Sequence, residues 1–201
     1  MDKFHFEIPT IDRKDQLLDY LQEHVKTKSK MDGTGGLNRC LNKMTYEEWL
    51  SDVINCMDKK YAEEKKCVPT TTFLTIRESD DKIIGMVNFR HYLNDELYKY
   101  GGHIGYGIRP SERNKGYSKI QLFLALLEAQ KMGLDKVMID CVNTNEASEK
   151  TIKALGGVFD GEEYEEKKNR TLKVYWIDVN KSLEINYEEY SKYLKINSKL
   201  K

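Results

Sequence analysis

Residues able to hold a phosphate crowd into one stretch near the middle of the chain, Ile104-Gly105-Tyr106-Gly107-Ile108-Arg109-Pro110-Ser111-Glu112-Arg113-Asn114-Lys115-Gly116-Tyr117-Ser118-Lys119. Its first part reads as a strand. β-Branched and aromatic residues alternate with glycine up to Ile108, and Pro110 ends the ladder because it has no N–H to donate. From Gly116 the period changes: Tyr117, Ile120, Phe123, Leu124 and Leu127 recur at helical spacing, and Gly133 supplies a stop. A loop that opens into a helix leaves several backbone N–H groups unpaired, and the helix dipole adds partial positive charge at the same place. Arg113, Lys115 and Lys119 bring whole charges, and Gly116 lets a ligand approach the backbone without a Cβ in the way. The chemistry offered is the binding of a pyrophosphate, with Asn114, Tyr117 and Ser118 in the same turn.

Two other phosphate motifs are excluded. A P-loop requires Gly-x-x-x-x-Gly-Lys-Ser/Thr, and Gly116 is followed by Tyr117. A dinucleotide fingerprint requires Gly-x-Gly-x-x-Gly at a strand-to-helix turn, and the segment starting at Gly105 has Pro110 in the last slot and lies within the strand.

The flanking pattern gives the elements that position this loop. Phe4 to Ile8 reads as a strand ended by Pro9, and Leu17, Leu18, Leu21 and Val25 mark a helix over about 13–26. Residues 28–42, with Gly33, Gly35 and Gly36, read as a long loop. Thr45-Tyr46-Glu47-Glu48 is a capping box, and a second helix is expected from there to about Lys65, burying Trp49, Leu50, Val53 and Met57. Strands over 71–78 and 82–91 form a hairpin, and 93–101 reads as a loop before the central strand. After the 117–131 helix come an apolar strand over 136–141, a short helix over 147–155 stopped by Gly156-Gly157, and a strand pair over 158–163 and 172–179. The tail, 187–198, reads as a surface helix. The order is β-α-α-β-β-β-α-β-α-β-β: an α/β fold in which a mixed, mostly antiparallel sheet of six to seven strands carries helices on both faces.

Within that order, Arg113-x-x-Gly116-x-Ser118 resembles the Gln/Arg-x-x-Gly-x-Gly/Ala signature of the GNAT superfamily of N-acetyltransferases, with serine in the last slot where the family has glycine or alanine. The likeness runs from end to end and is closest over 102–118, 143–157 and 73–90. It implies one domain over 1–201, with 10–70 as the variable acceptor-side helical segment and 187–201 as a tail. It further implies acetyl-CoA as co-substrate, with its pyrophosphate on residues 113–119 and its amide arm paired to the free edge of the central strand at Ile108. Asn143-Thr144-Asn145 caps a helix in the plain reading, and the resemblance implies that Asn145, with Ser148 three positions later, also contacts the cofactor. The glycines at 105 and 107 imply a bulge or the close approach of another backbone-like group, or else packing against a bulky helix residue.

Proton transfer is less legible. A primary amine is neutral in roughly one molecule per few thousand at pH 7, so a proton acceptor helps. The family's usual acid is a tyrosine at the place of Ile152. A base on the central strand in phase with Ile108 falls on Gly102, Ile104 or Tyr106; Tyr106 is the candidate of these, and His103 requires a bulge to rotate it into the site. His91, Cys141 and Glu163 are further possibilities, each with a core or surface reading. Tyr46, Trp49, Tyr98 and Tyr100 either line an acceptor pocket or pack in the core.

Lys+Arg and Asp+Glu each total 33 in the 201 residues, so no overall field draws nucleic acid or an anionic membrane. No run approaches the roughly 18 apolar residues of a spanning helix. The N-terminus has no hydrophobic signal segment. Cys40, Cys56, Cys67 and Cys141 lack Cys-x-x-Cys spacing, and the four histidines lack ligand intervals, so the expectation is a reduced, metal-free, cytoplasmic protein. The expected activity is acetyl transfer to a small amine rather than a peptide, in a monomer or homodimer. The alternatives are an acetyl-CoA-binding sensor with little turnover, or transfer of a longer acyl group.

Overall fold

The computed structural model describes residues 1–195. Its elements are β1 (Phe4–Glu7), α1 (Lys14–Lys26), α2 (Tyr46–Asn55), α3 (Lys59–Glu64), β2 (Thr70–Arg77), β3 (Lys82–Arg90), α4 (Asp95–Lys99), β4 (Ile104–Ile108), α5 (Tyr117–Lys131), β5 (Lys136–Val142), α6 (Glu146–Ala154), β6 (Val158–Glu165), β7 (Arg170–Asp178) and α7 (Val179–Tyr190). The seven strands divide into a sheet of order β1-β2-β3-β4 and a sheet of order β5-β7-β6, each antiparallel throughout.

The two sheets meet where β4 enters beside β5. The His103 N–H donates to the Met138 carbonyl at 2.8 Å, and the Met138 N–H donates to His103 Nδ1 at 3.0 Å. Gly102 is required there, since a Cβ would lie 2.4 Å from the Met138 oxygen and its φ is +57°. Beyond this clasp no ladder joins β4 to β5, and the strands separate.

Apolar residues alternate along β2 and β3 and serve two cores, as expected of a sheet covered on both faces. Phe73, Ile84, Val87 and Phe89 pack with Phe123, Leu126, Ile139, Ile152 and Tyr175 beneath α5 and α6. Leu74, Ile76, Ile83 and Met86 pack with Leu17, Tyr20, Leu21 and Trp49 of α1 and α2.

Three elements differ from the sequence expectation. The second helix breaks at 56–58, where Asp58 caps α3 by accepting from the Tyr61 N–H, and Met57 is exposed rather than buried. The 93–101 segment holds the short helix α4, capped by Asn94. The tail helix begins at Val179 and is not a surface helix: Val179, Leu183 and Tyr190 are buried in the α5 core, while 196–198 lie outside the described residues. The 28–42 loop also contains a 3₁₀ turn, Leu37–Leu41.

That loop straps across the outer face of β4. Gly33 has φ +72°, and a Cβ there would lie 2.6–2.7 Å from the Gly105 oxygen, Tyr106 Cα and the Met86 oxygen. The indole N–H of Trp49 donates to the Gly35 carbonyl at 3.1 Å and anchors the strap from behind. Gly33→Ala should therefore cost more than ~1 kcal/mol of stability, readable as a lower midpoint in urea denaturation. A midpoint equal to wild type would mean that the strap shifts freely.

Candidate active site

The loop before α5 offers a row of unpaired amides. The Arg113 N–H bonds to the Pro110 carbonyl and the Lys119 N–H to the Gly116 carbonyl, but those of Asn114, Lys115, Gly116, Tyr117 and Ser118 have no partner among the described residues. No side chain caps α5. Asn114 (φ 61°) and Gly116 (φ 81°) take the left-handed conformation that turns these amides outward, and residues 113–116 are exposed.

Of the three whole charges expected at the same place, only Arg113 lines the cleft that the loop borders. Arg113 Nε donates to the Ile108 carbonyl at 3.1 Å and its Nη2 to Ser29 Oγ at 2.6 Å. Lys115 Nζ lies 2.9 Å from Glu112, and neither Lys115 nor Lys119 lines the cleft that the loop borders. At the cleft the loop thus combines its outward amides with the guanidinium of Arg113, which has no carboxylate partner among the described residues.

From this loop a cleft of about 450 Å³ runs along the free edge of β4, lined by Ile108, Tyr106, Asn145, Ser148 and Thr151 among others. The register explains the edge. Arg109 donates to Ile84 at one end of the β3–β4 ladder and Arg90 donates to His103 at the other, so odd-numbered residues of β4 bond to β3. The backbone groups of Ile104, Tyr106 and Ile108 face away, toward the gap. There the Ile108 carbonyl is taken by Arg113, and its N–H is left to the cleft.

Hydroxyls line the opposite wall. Tyr106 Oη lies 2.9 Å from Ser148 Oγ, and Ser118 Oγ lies 2.9 Å from Thr151 Oγ1. Asn145 caps α6, its side chain accepting from the Ser148 N–H at 3.2 Å. Burial raises the Tyr106 pKa and keeps the phenol protonated.

A second cleft of about 270 Å³ meets the first at Tyr106, Asn145, Ser148 and Asp32. Arg90, Tyr100, Asp140 and Cys141 also line it. Asp140 Oδ2 accepts from the Gly101 N–H at 2.5 Å, and burial, the largest influence, holds its carboxyl above the ordinary range.

A family model described as an acetyltransferase (GNAT) domain matches residues 12–158. The chain belongs to the GNAT acetyltransferase family. No match is found among curated proteins. Among solved structures, the chain is similar to the ribosomal-protein-S5-alanine acetyltransferase from Vibrio fischeri, at 15% identity and TM-score 0.64, covering 89% of this chain and 94% of that one. The microcin C7 self-immunity acetyltransferase MccE, solved with acetyl-CoA and AMP, gives 16% identity and TM-score 0.62 over 88% and 92% of the two chains. Mutant forms of the spermidine/spermine N-acetyltransferase SpeG from Vibrio cholerae give 14% and 0.62 over 92% and 98%. At these identities the likeness is one of fold.

The residues considered for proton transfer fall in different surroundings. Ile152 is fully buried in the core. His103 does not reach the clefts: it is buried, its Nδ1 is occupied by the Met138 N–H, and burial followed by Arg90 lowers its pKa to about 4. It serves as the clasp between strands instead of a base. The glycines at 105 and 107 mark no bulge, for the β3–β4 register is unbroken. The close approach at Gly107 is made by this chain's own Asp32, whose carbonyl oxygen would lie 2.8 Å from an added Cβ. Of the four aromatics weighed between an acceptor pocket and the core, Tyr100 lines the second cleft, Tyr46 and Trp49 are core, and Tyr98 is exposed beside Trp176. His91 pairs with Thr71 at 2.8 Å, and burial pushes the Cys141 thiol up to about 11. Glu163 is exposed on β6 and lines neither cleft.

The sequence reading missed Asp32, Arg90, Glu112 and Asp140. A carboxylate within the apolar run Val137-Met138-Ile139-Asp140-Cys141 is a signal that could have found the last. Glu112 had none, because two of its partners come from the distant hairpin. Its buried carboxylate receives Arg77 and Lys82 at 2.8 Å and Lys115 at 2.9 Å, and so fixes the start of the cradle. Burial raises its pKa, but bonds from Lys82, Arg77 and Lys115 outweigh this and bring it to about 2, from 4.5. A depressed carboxyl stabilises the fold above its unfolded pKa, and that contribution fades as pH falls from about 4.5 toward 2. Glu112→Gln should cost ~1–3 kcal/mol at pH 7, since its cations are only partly shielded from water. The gap to wild type should close between pH 4.5 and 2 in urea titrations; a gap constant with pH would remove the ionic explanation.

Proposed function

We propose that this chain transfers an acetyl group from acetyl-CoA to the primary amine of a small acceptor by direct attack while both are bound. The observation that carries the reading is the run of unpaired amides at 114–118, at the mouth of a cleft that leads along a free strand edge to the Tyr106 hydroxyl. Those amides suit a diphosphate. The outward-facing groups of Ile104, Tyr106 and Ile108 suit the amides of a pantetheine arm, with Asn145 and Ser148 on the facing wall.

Most of the acceleration in such a site comes from alignment of amine and thioester. The N–H near Ile108 would steady the developing oxyanion. The ammonium form of the acceptor loses one proton to become nucleophilic and a second as the C–N bond forms. One ends on the sulfur released when the C–S bond breaks, the other in solvent. Asp140, basic and open to the second cleft, is suited to the first transfer. Tyr106, protonated and bonded to Ser148, is suited to hydrogen-bond the departing thiolate in place of the missing tyrosine at 152. That substitution also motivates a second reading, a CoA-binding sensor with little turnover.

Gly116→Glu should abolish CoA binding in calorimetry while leaving the fold intact. An added Cβ meets nothing within 4 Å, and only the backbone strain of φ +81° (~1 kcal/mol) is incurred. Unchanged affinity would dismiss the cradle assignment. Tyr106→Phe should lower kcat by ~10²-fold with CoA affinity within about twofold. In a thiol-release assay over an amine panel, tight CoA binding with no acceptor-dependent thiol would favour the sensor.

A further inference from the structure

The second cleft carries charges of both signs, and three of them, Arg90, Asp32 and Asp140, form no ion pair among the described residues. Arg77, Arg109 and Arg170 each sit against a carboxylate, at 2.8, 2.6 and 2.5 Å. Arg90 has no such partner among the described residues. Its Nη1 donates to the Gly101 carbonyl at 3.0 Å, and its guanidinium rests over Gly105, where a Cβ would lie 3.1 Å from Nη1. The head group is therefore held in place, yet Nε and Nη2 have no protein acceptor among the described residues. A guanidinium set partly out of water without a counter-ion is costly, and the geometry of its free donors matches a carboxylate.

Across the same cavity, Asp32 and Asp140 have no ion-pair partner among the described residues either. Asp140 spends one oxygen on the Gly101 N–H and keeps the rest of its acceptor capacity. At the rim, Glu165 is neutralised by Lys168 at 2.7 Å and Arg170 at 2.5 Å. Three cations and three anions thus line the cleft, and Arg90 forms an ion pair with neither Asp32 nor Asp140. A polyamine would suit the two carboxylates but would leave the Arg90 guanidinium facing a cation. A ligand carrying one positive and one negative group would complete all three unpaired residues.

We propose that the acceptor is a small amino carboxylate, an amino acid or close analogue, whose carboxylate binds Arg90 and whose amine lies toward Asp32 and Asp140. This rests on the acetyl-transfer reading for its chemistry, but the binding site is argued from the cleft itself. The about 270 Å³ available suits one such molecule.

The test pairs two readouts on the full chain saturated with CoA or acetyl-CoA. Calorimetry measures binding of L-amino acids, of the amines that result from removing the carboxylate, and of spermidine. Thiol release measures turnover with the same panel. For the wild type, at least one amino acid should exceed its decarboxylated amine by tenfold or more in affinity and in kcat/KM. Arg90→Gln should bring that ratio close to one, and Arg90→Lys should restore part of it. Because the ratio compares two ligands on one protein, a general loss of folded material cancels. Preference for spermidine or the decarboxylated amines, no amino acid binding, or an unchanged ratio in Arg90→Gln would each overturn the proposal. Arg90-dependent amino acid binding without any thiol release would sustain the site and dismiss acetyl transfer.

Discussion

Everything in the two clefts depends on one short contact, the clasp between His103 and Met138. Neighbouring strands that begin in register normally continue pairing, because backbone N–H and C=O groups left without partners in an enclosed space are costly. Here the imidazole occupies an amide of β5 that a strand residue would otherwise take, and Gly102 brings the two backbones together at that point alone. Past the clasp no strand pairs with this edge of β4 among the described residues, and Arg113 takes only the Ile108 carbonyl. Its remaining N–H and C=O groups face the cleft between the two sheets.

The rest of the molecule holds that opening in shape. From behind, the strap over Gly105 and Gly107 stiffens β4 and carries Asp32 to the junction of the clefts. From the side, Arg109 binds α1 through Asp19 and Glu23, and the Glu23 carboxylate also accepts the Ser111 N–H. The N-terminal helices are thereby tied to the loop that feeds α5. Of the segment from 10 to 70, Asp32 and Gly33 line the second cleft, and Ser29, Lys30 and Asp32 line the first.

What could be read from the residues was what is local. The strand–loop–helix of 104–131 depends on Pro110, Gly116 and a helical period, all within one segment, and it stands as expected. The hairpin of β2 and β3 and the helix stop at Gly156 were legible for the same reason. The missed breaks at Asp58, Asn94 and Asp178 are helix caps that the sequence does contain, overlooked because they follow directly on other elements. The destinations of Arg113 and Lys115 were not legible. A cation next to a glycine loop looks free until the fold brings up Ser29 or buries Glu112, and those partnerships are settled by tertiary packing. Arg90 and Asp140 were hidden likewise, since neither strand reveals which residues of the other it will face.

The pairing of Lys115 with Glu112 also bears on how this loop responds to its medium. Mobile ions largely screen the attraction between exposed whole charges more than about 10 Å apart at 0.1 M salt. Amide dipoles fixed by the turn act at hydrogen-bond distance and keep their orientation whatever the electrolyte. An anion bound there would meet fixed amide dipoles and one whole charge, Arg113, so only part of its retention would be tied to ionic strength.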